Sequence, residues 1–499
     1  MMKRAIMIQG TMSNAGKSLI TAGLCRVFHQ DGYSVAPFKS QNMALNSFIT
    51  DEGLEMGRAQ VVQAEAACVA PSVLMNPILL KPVTDMGSQV IVNGEVRGNM
   101  KAAEYFEYKK TLVPDIMNAF ESLAGRHDII VIEGAGSPAE INLKQNDIVN
   151  MGLAKMTNAP VLLTGDIDRG GVFAQLVGTL VLLDNDERNM IKGLIINKFR
   201  GDMELLRPGI TMLEERSGKP VIGTIPYLSV DIEDEDSLTE RFHSKPKAST
   251  LDIAVVRLPK ISNFTDFMAL EATDGVGLRY VVKTSELGRP DMVILPGTKN
   301  TIADLKWMRR NGLETAIMRL ANEGIVIFGI CGGYQMMGQE IRDIENVEGG
   351  GEIGGLGLLP VSTEFFAEKA RLRTTGKVVG AQDTLSLLNG SNVEGYEIHM
   401  GISRFTKNAI ALMTKENGGT DGCALGNTAG TYLHGFFDST DCRDALVKAL
   451  CAKKGVSVPG GSFNFNAYKN EQYNKLADAV RENLDMNFIY KKVLDIPRS

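Results

Sequence analysis

Residues 325–338 read IVIFGICGGYQMMG, an apolar run that ends on Gly329-Ile330-Cys331-Gly332-Gly333 before a helix-forming stretch. A cysteine bracketed by glycines between a strand and a helix has the form of a nucleophile elbow, because the tight turn leaves no room for neighbouring side chains. The helix N-terminus beneath it favours the thiolate. Gly332 and Gly333 complete the elbow, and the N–H after Cys331 faces the place where an oxyanion would develop. A lone cysteine is more often a small buried hydrophobe; the glycine bracket is what argues for chemistry here. Gly297, in ILPGTKN, sits at another strand end as either a second oxyanion donor or a turn. The thiol needs a base, and the five histidines are His29, His127, His243, His399 and His434. His434, in GTYLHGFF, follows an apolar strand and is the preferred base, with His399 in GYEIHMG as the rival. His29 falls on an exposed helical face and His243 in a polar stretch.

A second constellation lies at the start of the chain. IMIQGTMSNAGKS runs from a buried strand through Gly10, Gly16, Lys17 and Ser18 into a helix. Phosphate binding needs glycines that let backbone N–H groups turn inward, a lysine to offset phosphate charge and a hydroxyl to ligate Mg2+. All three are present, with one residue more between the glycines than in a standard Walker A loop. A magnesium ion also needs a carboxylate at the end of a neighbouring strand. Glu133 in DIIVIEGAG is preferred for that role to Asp166 and Asp168 in LLTGDIDRGG, which read equally as helix caps.

The order Cys…His, with LPG, GICGGYQ and YLHG, resembles the class I glutamine amidotransferases. The chain departs from their His-x-Glu triad, because His434 is followed by Gly435 and Phe436. The CobB/CobQ-type glutamine amidotransferase family, which amidates corrinoids, is similar in that departure and also carries GYEIHMG. The resemblance implies that Cys331 and His434 are the catalytic pair, and it leaves open whether Glu397 or another acid orients His434. The long glycine loop and EGAG resemble the dethiobiotin synthetase group, in which ATP activates a carboxyl as a mixed anhydride. By that resemblance Asn197 and the IPY at Pro226 frame the adenine, although Asn197 reads equally as a strand-end turn residue.

GTMSNAGKS, PFKSQNMALNS, EMGRAQVVQAEAA, NPILLKPV and NKFRGD resemble the cobyric acid synthase branch of that family along essentially the whole chain. The resemblance implies ATP and Mg2+ as cofactors, with glutamine and a corrinoid polycarboxylate as substrates. The reaction it implies is amidation of the b, d, e and g carboxylates of adenosylcobyrinic acid a,c-diamide. The alternatives are a cobyrinate a,c-diamide synthase and a regulatory P-loop ATPase, the latter giving the elbow no role. Asn42, Asn46, Arg58 and Lys81 read either as pocket residues for an acidic macrocycle or as solvated loop positions.

These sites need strands to carry them. Apolar runs at 5–9, 34–38, 129–133, 160–164, 193–197 and 221–225 alternate with helical patterns at 18–30 and 105–123, which predicts a parallel sheet buried on both faces. A new α/β pattern starts at Leu251. The 499 residues exceed the roughly 250–300 of a single core. The expected fold is α/β, with a dethiobiotin synthetase-like parallel-sheet P-loop domain (1–230) and a linker (231–250). A flavodoxin-like class I glutamine amidotransferase domain (251–440) and a helical C-terminal extension (441–499) follow.

Composition excludes little else. The net charge is −6, from 53 basic and 59 acidic residues, so no nucleic-acid partner is expected. No run approaches the roughly 20 apolar residues of a membrane span. Six cysteines without a CxxC spacing point to a reducing cytoplasm. The oligomeric state is not encoded in any pattern here.

Overall fold

Runs that are apolar at consecutive positions must be covered on both faces, and the structure covers them. The strands Arg4–Gly10, Val35–Phe38, Ile129–Glu133, Val161–Asp166, Ile191–Phe199 and Val221–Pro226 form one six-stranded parallel sheet. Arg4–Gly10 lies centrally, between Val161–Asp166 and Ile129–Glu133. Its neighbours place Glu133 opposite Ile8 and Thr164 opposite Gly10. The C-terminal ends of these strands therefore share one edge, where open parallel sheets hold ligands. The structure, a computed structural model, describes residues 4–84, 87–233, 242, 249–407 and 409–496. Most of the stretch 231–250, His243 included, lies outside the described residues.

The chain divides into two units. The first takes in Met1–Ala44, Glu55–Glu235 and Asn466–Ser499; the second takes in Leu45–Leu54 and Asp236–Phe465. The first unit also carries a small sheet of Gln41–Met43, Ile78–Thr84, Gly87–Val92 and Glu95–Lys101. The second is built on the order Val276–Val281, Leu251–Val256, Met292–Leu295, Val326–Ile330, Thr428–Thr431 and Cys423–Leu425. All its pairs are parallel except the last. A long antiparallel pair, Val361–Val378 with Asn392–Phe405, brings residues 396–399 alongside 370–373.

Two segments fall where the sequence pattern does not put them. The stretch 441–499, expected as one helical extension, is split. Helix Thr440–Lys454 belongs to the second unit, whereas residues from Asn466 onward belong to the first. The cause is an apolar face on the helix Phe465–Asn483: Tyr473, Leu476, Ala477 and Val480 are buried in one core with Ile6, Ile20, Leu24 and Phe28. Leu476 and Val480 each contribute about 1.5–3 kcal/mol on burial. The other segment is Leu45–Leu54, which the sequence pattern assigns to the N-terminal domain and which belongs to the second unit. Among the described residues, no helix is long and apolar enough to cross a membrane.

Candidate functional site

The first unit presents the glycine loop at the shared edge of its sheet. Gly16 has φ +97°, and a Cβ there would lie 1.9 Å from Asn197 Nδ2, so only glycine fits. Asn197 Nδ2 donates to Ala15 O at 2.9 Å, which makes this side chain a brace for the loop backbone. Lys17 Nζ, largely buried, donates to Met12 O and Gly136 O at 3.0 Å each. The loop thus curls around the ammonium, and the EGAG turn closes on it from the other side.

Ser18 Oγ donates to Glu133 Oε1 at 2.9 Å. The same carboxylate accepts from Lys39 Nζ at 2.9 Å and from Gln63 Nε2 at 2.5 Å. Asp166 is bound instead by Lys198 Nζ at 2.9 Å and by the N–H of Asp168, and Asp168 pairs with Arg200 at 3.0 Å. Ser18 and Glu133 are therefore brought together, while Asp166 and Asp168 are engaged with neighbouring cations. Tyr227, in the IPY segment, stacks beneath the Arg200 guanidinium at 3.6 Å.

In the second unit the fully buried strand Val326–Ile330 delivers Cys331 at φ 49°, ψ −108°. This is a sparsely populated conformation for a residue with a Cβ, of the kind that persists where surrounding structure holds it. The Cys331 N–H donates to Thr431 O at 2.8 Å, and the following helix begins at Gly332. A Cβ on Gly333 would lie 1.9 Å from Leu295 O, and one on Gly332 would lie 2.7 Å from Thr298 Cγ2. The glycine bracket is a packing requirement of this turn. Gly297 lies against His434, its Cβ position 3.2 Å from His434 Cε1, and its carbonyl accepts from Ser262 N at 2.9 Å.

His434 is buried and stacks on Tyr396, with ring centroids 5.3 Å apart. Its Nδ1 lies 2.7 Å from Asp266 Oδ2, and Asp266 Oδ1 accepts the N–H of Gly435 at 3.1 Å. Burial alone would lower the imidazole pKa. The charge and hydrogen bond of Asp266, with the hydrogen-bonded Cys331, outweigh that and raise it from 6.5 to about 10. The result favours an imidazolium beside the sulfur.

Glu397 does not stand behind His434. Its carboxylate accepts from Thr374 Oγ1 at 2.7 Å, pairs with Lys415 Nζ at 2.6 Å and lies 3.6 Å from His399 Nε2. Although burial opposes it, these partners hold its carboxyl below the usual range. His399 itself is tied to Gly401 O at 2.7 Å and stacked on Tyr432.

Asp266 is the residue that sequence reasoning misses. It sits in the short 3-10 turn Phe264–Phe267, a long way from His434 in sequence. Its only local signal is an acidic residue set between Phe264 and Phe267, where a buried charge requires a partner.

The four residues considered for a macrocycle pocket are all buried, so none is a solvated loop position. Asn42 Nδ2 donates to Gln60 Oε1 at 3.0 Å. Arg58 is bidentate to Glu233, and Lys81 Nζ pairs with Glu55 at 2.9 Å. Asn46 belongs to the second unit, where its Oδ1 accepts from Asn263 N at 2.7 Å. All six cysteines are free, and no cluster of three metal-ligating side chains occurs among the described residues.

Comparison with known proteins assigns both halves. Residues 6–238 match the CobQ/CobB/MinD/ParA nucleotide binding domain, and residues 252–442 match the CobB/CobQ-like glutamine amidotransferase domain. The chain is 58% identical to a cobyric acid synthase of Lachnoclostridium phytofermentans, covering 98% of this chain and 99% of that one. It is 56% identical to one of Ruminiclostridium cellulolyticum (99% and 97% covered) and 52% identical to one of Clostridium acetobutylicum (97% and 98% covered).

Proposed function

The chain belongs to the cobyric acid synthase family, and from that membership we propose that it amidates corrinoid carboxylates with glutamine-derived ammonia and ATP. Its substrate is adenosylcobyrinic acid a,c-diamide, amidated at the b, d, e and g carboxylates, and it works in the cytoplasm, where free thiols persist. The observation that carries the reading is the series Asp266–His434–Cys331 on the same chain as a Lys17, Ser18 and Glu133 phosphate loop.

The glutaminase half-reaction follows from that series. His434 spends Nδ1 on Asp266, which leaves Nε2 to exchange a proton with Cys331. The thiolate attacks the glutamine amide carbon, and the N–H of Gly332, with Gly297 nearby, faces the oxyanion. His434 passes its proton to the departing nitrogen, and ammonia leaves a glutamyl thioester. Water, deprotonated by the same imidazole, then releases glutamate and restores the thiol.

In the other half-reaction a substrate carboxylate oxygen attacks the γ-phosphorus of ATP and ADP departs. Ammonia attacks the resulting acyl phosphate carbon, and phosphate leaves a carboxamide. Lys17 offsets phosphate charge and the glycine loop supplies N–H donors. A hydroxyl and one carboxylate at 2.9 Å fit Mg2+, which takes few protein ligands when a nucleotide supplies the rest. Ser18 and Glu133 would hold that ion, and it would neutralise charge on the β- and γ-phosphates. Asn197 acts by bracing the loop.

The test is mass spectrometry of the corrinoid after incubation with ATP and glutamine, offering cobyrinic acid and its a,c-diamide in separate reactions. Each carboxylate converted exchanges a hydroxyl for an amino group. Successive exchanges on the a,c-diamide at b, d, e and g are expected. Conversion confined to the a and c positions of cobyrinic acid would instead mark an a,c-diamide synthase.

Asp266→Asn should lower the glutamine-driven rate by roughly a hundredfold, the low end of what a positioned acid–base pair contributes. The ammonia-driven rate is the internal reference. A second readout follows from linkage. Because the folded pKa of His434 is raised from 6.5 to about 10, its charged form contributes stability that is complete below pH 6.5 and lost as pH rises towards 10. The variant should therefore lose less stability than the parent between those pH values. Equal slopes in denaturant titrations would argue against the ion pair.

A further inference from the structure

The segment Leu45–Leu54 is the one stretch of the N-terminal half that belongs to the second unit. It touches the support of all three groups in the Asp266–His434–Cys331 series. Asn46 Oδ1 accepts the N–H of Asn263 at 2.7 Å, and Asn263 Oδ1 accepts the N–H of Ser47 at 3.0 Å. This reciprocal clasp holds Asn263 at φ 52°, directly before the turn that carries Asp266. The Asn263 carbonyl in turn accepts the Asp266 N–H at 3.1 Å.

One residue further on, the Ser47 carbonyl accepts Tyr396 Oη–H at 2.9 Å. Tyr396 is the ring stacked on His434, and the two residues exchange backbone hydrogen bonds at 3.1 and 2.9 Å. Phe48 packs edge-on to the same ring at 5.2 Å. Ile49 is fully buried in a cluster with Tyr396 and Ile398, and the Ile398 carbonyl is 3.7 Å from Cys331 Sγ as its hydrogen-bond acceptor.

We propose that the segment 45–54 is a positioning strap for glutamine hydrolysis, with Asn46 and Tyr396 as its positioning residues. Both residues act at one remove from the reacting thiol, through Asn263, Asp266, His434 and Ile398. A clasp of two buried hydrogen bonds at the entry to a four-residue turn fixes where the Asp266 carboxylate points. Errors well under an ångström in such an orientation are enough to slow proton transfer. The strap leaves the first unit after Ala44 and rejoins it at Glu55. The glutaminase is thus positioned by residues encoded inside the synthetase half, and an isolated 251–440 fragment would lack them. This inference rests on the glutaminase reading above and adds residues to it.

The experiment uses the full-length chain and compares glutamine-driven with ammonia-driven amidation in each variant. Asn46→Ala removes the acceptor for Asn263 N–H, and Tyr396→Phe removes only the hydroxyl that reaches Ser47. Each should lower the ratio of glutamine-driven to ammonia-driven kcat by roughly tenfold, the effect of one well-placed buried hydrogen bond. The KM for glutamine should change less than twofold, because no substrate contact is lost. Asn46→Asp keeps an Oδ acceptor and should recover most of the ratio. A ratio within twofold of the parent for both Asn46→Ala and Tyr396→Phe would overturn the strap, as would a proportional fall in both rates. The Cys331→Ala variant separates the two levels: if it still uses glutamine, the glutaminase reading fails, whereas the strap alone fails if only Asn46 and Tyr396 prove silent.

Discussion

Cys331→Ala should reduce glutamine-driven amidation by roughly 10⁴-fold or more, the scale of losing a nucleophile, while amidation from added ammonium salts persists. The expectation comes from how this residue is held. Its φ of 49° is reached only because Gly332 and Gly333 give the turn clearance against Thr298 and Leu295, and a side chain without sulfur has nothing to offer in that position. Alanine is small enough for a site that is 8% exposed, so the fold should stand. Deletion of the thiol also removes one of the influences that raise the His434 pKa, and the imidazole should titrate at lower pH in the variant. Steady-state rates with glutamine and with ammonium chloride, measured on the same preparation, check the first claim. NMR titration of His434 checks the second. Retention of glutamine use would remove Cys331 from the mechanism.

Lys17→Ala should behave in the opposite manner and lower both the glutamine-driven and the ammonia-driven rates by roughly a thousandfold. The ammonium of Lys17 is held at 3.0 Å by Met12 O and Gly136 O, which places a positive charge within the curl of the glycine loop. Without it the phosphates meet a loop of dipoles with no formal charge at its centre. Hydrolysis of glutamine to glutamate, assayed without corrinoid, should survive, because Cys331 and His434 belong to the other unit. A circular dichroism melt would show whether the variant is folded. An ammonia-driven rate within tenfold of the parent would show that the loop lysine is not needed for carboxylate activation.

Much of this geometry is legible in the chain because it is local. DIIVIEG and APVLLTG are apolar at successive positions, which only a strand covered on both faces accommodates. The strands Ile129–Glu133 and Val161–Asp166 are buried throughout. The elbow at Cys331 is equally local, since glycines before and after one side chain are a steric statement about a turn. What long-range pairing decides is not legible in this way. Asp266 reaches His434 only through folding of the whole second unit, whereas Glu397, close to His399 in sequence, is drawn to Lys415 and Thr374. Asn46 reads as a polar loop residue because nothing nearby shows that Asn263 waits for it. The partners of Glu133, Lys39 and Gln63, come from separate elements and are invisible for the same reason.

The return of residues 466–496 to the first unit bears on how the protein is made. Tyr473, Leu476, Val480, Leu484 and Ile489 complete the core that also holds Ile6, Ile20 and Phe28. Domains generally fold as units in the order they leave the ribosome, but here the first unit has residues on both sides of the second and is completed by a segment synthesised after it. The nascent chain must therefore carry an apolar surface on its nucleotide half throughout translation of the whole glutaminase. Chaperone occupancy during that interval is the expected consequence of this connectivity. The half begun first therefore cannot complete this core until the segment 466–496 has been made.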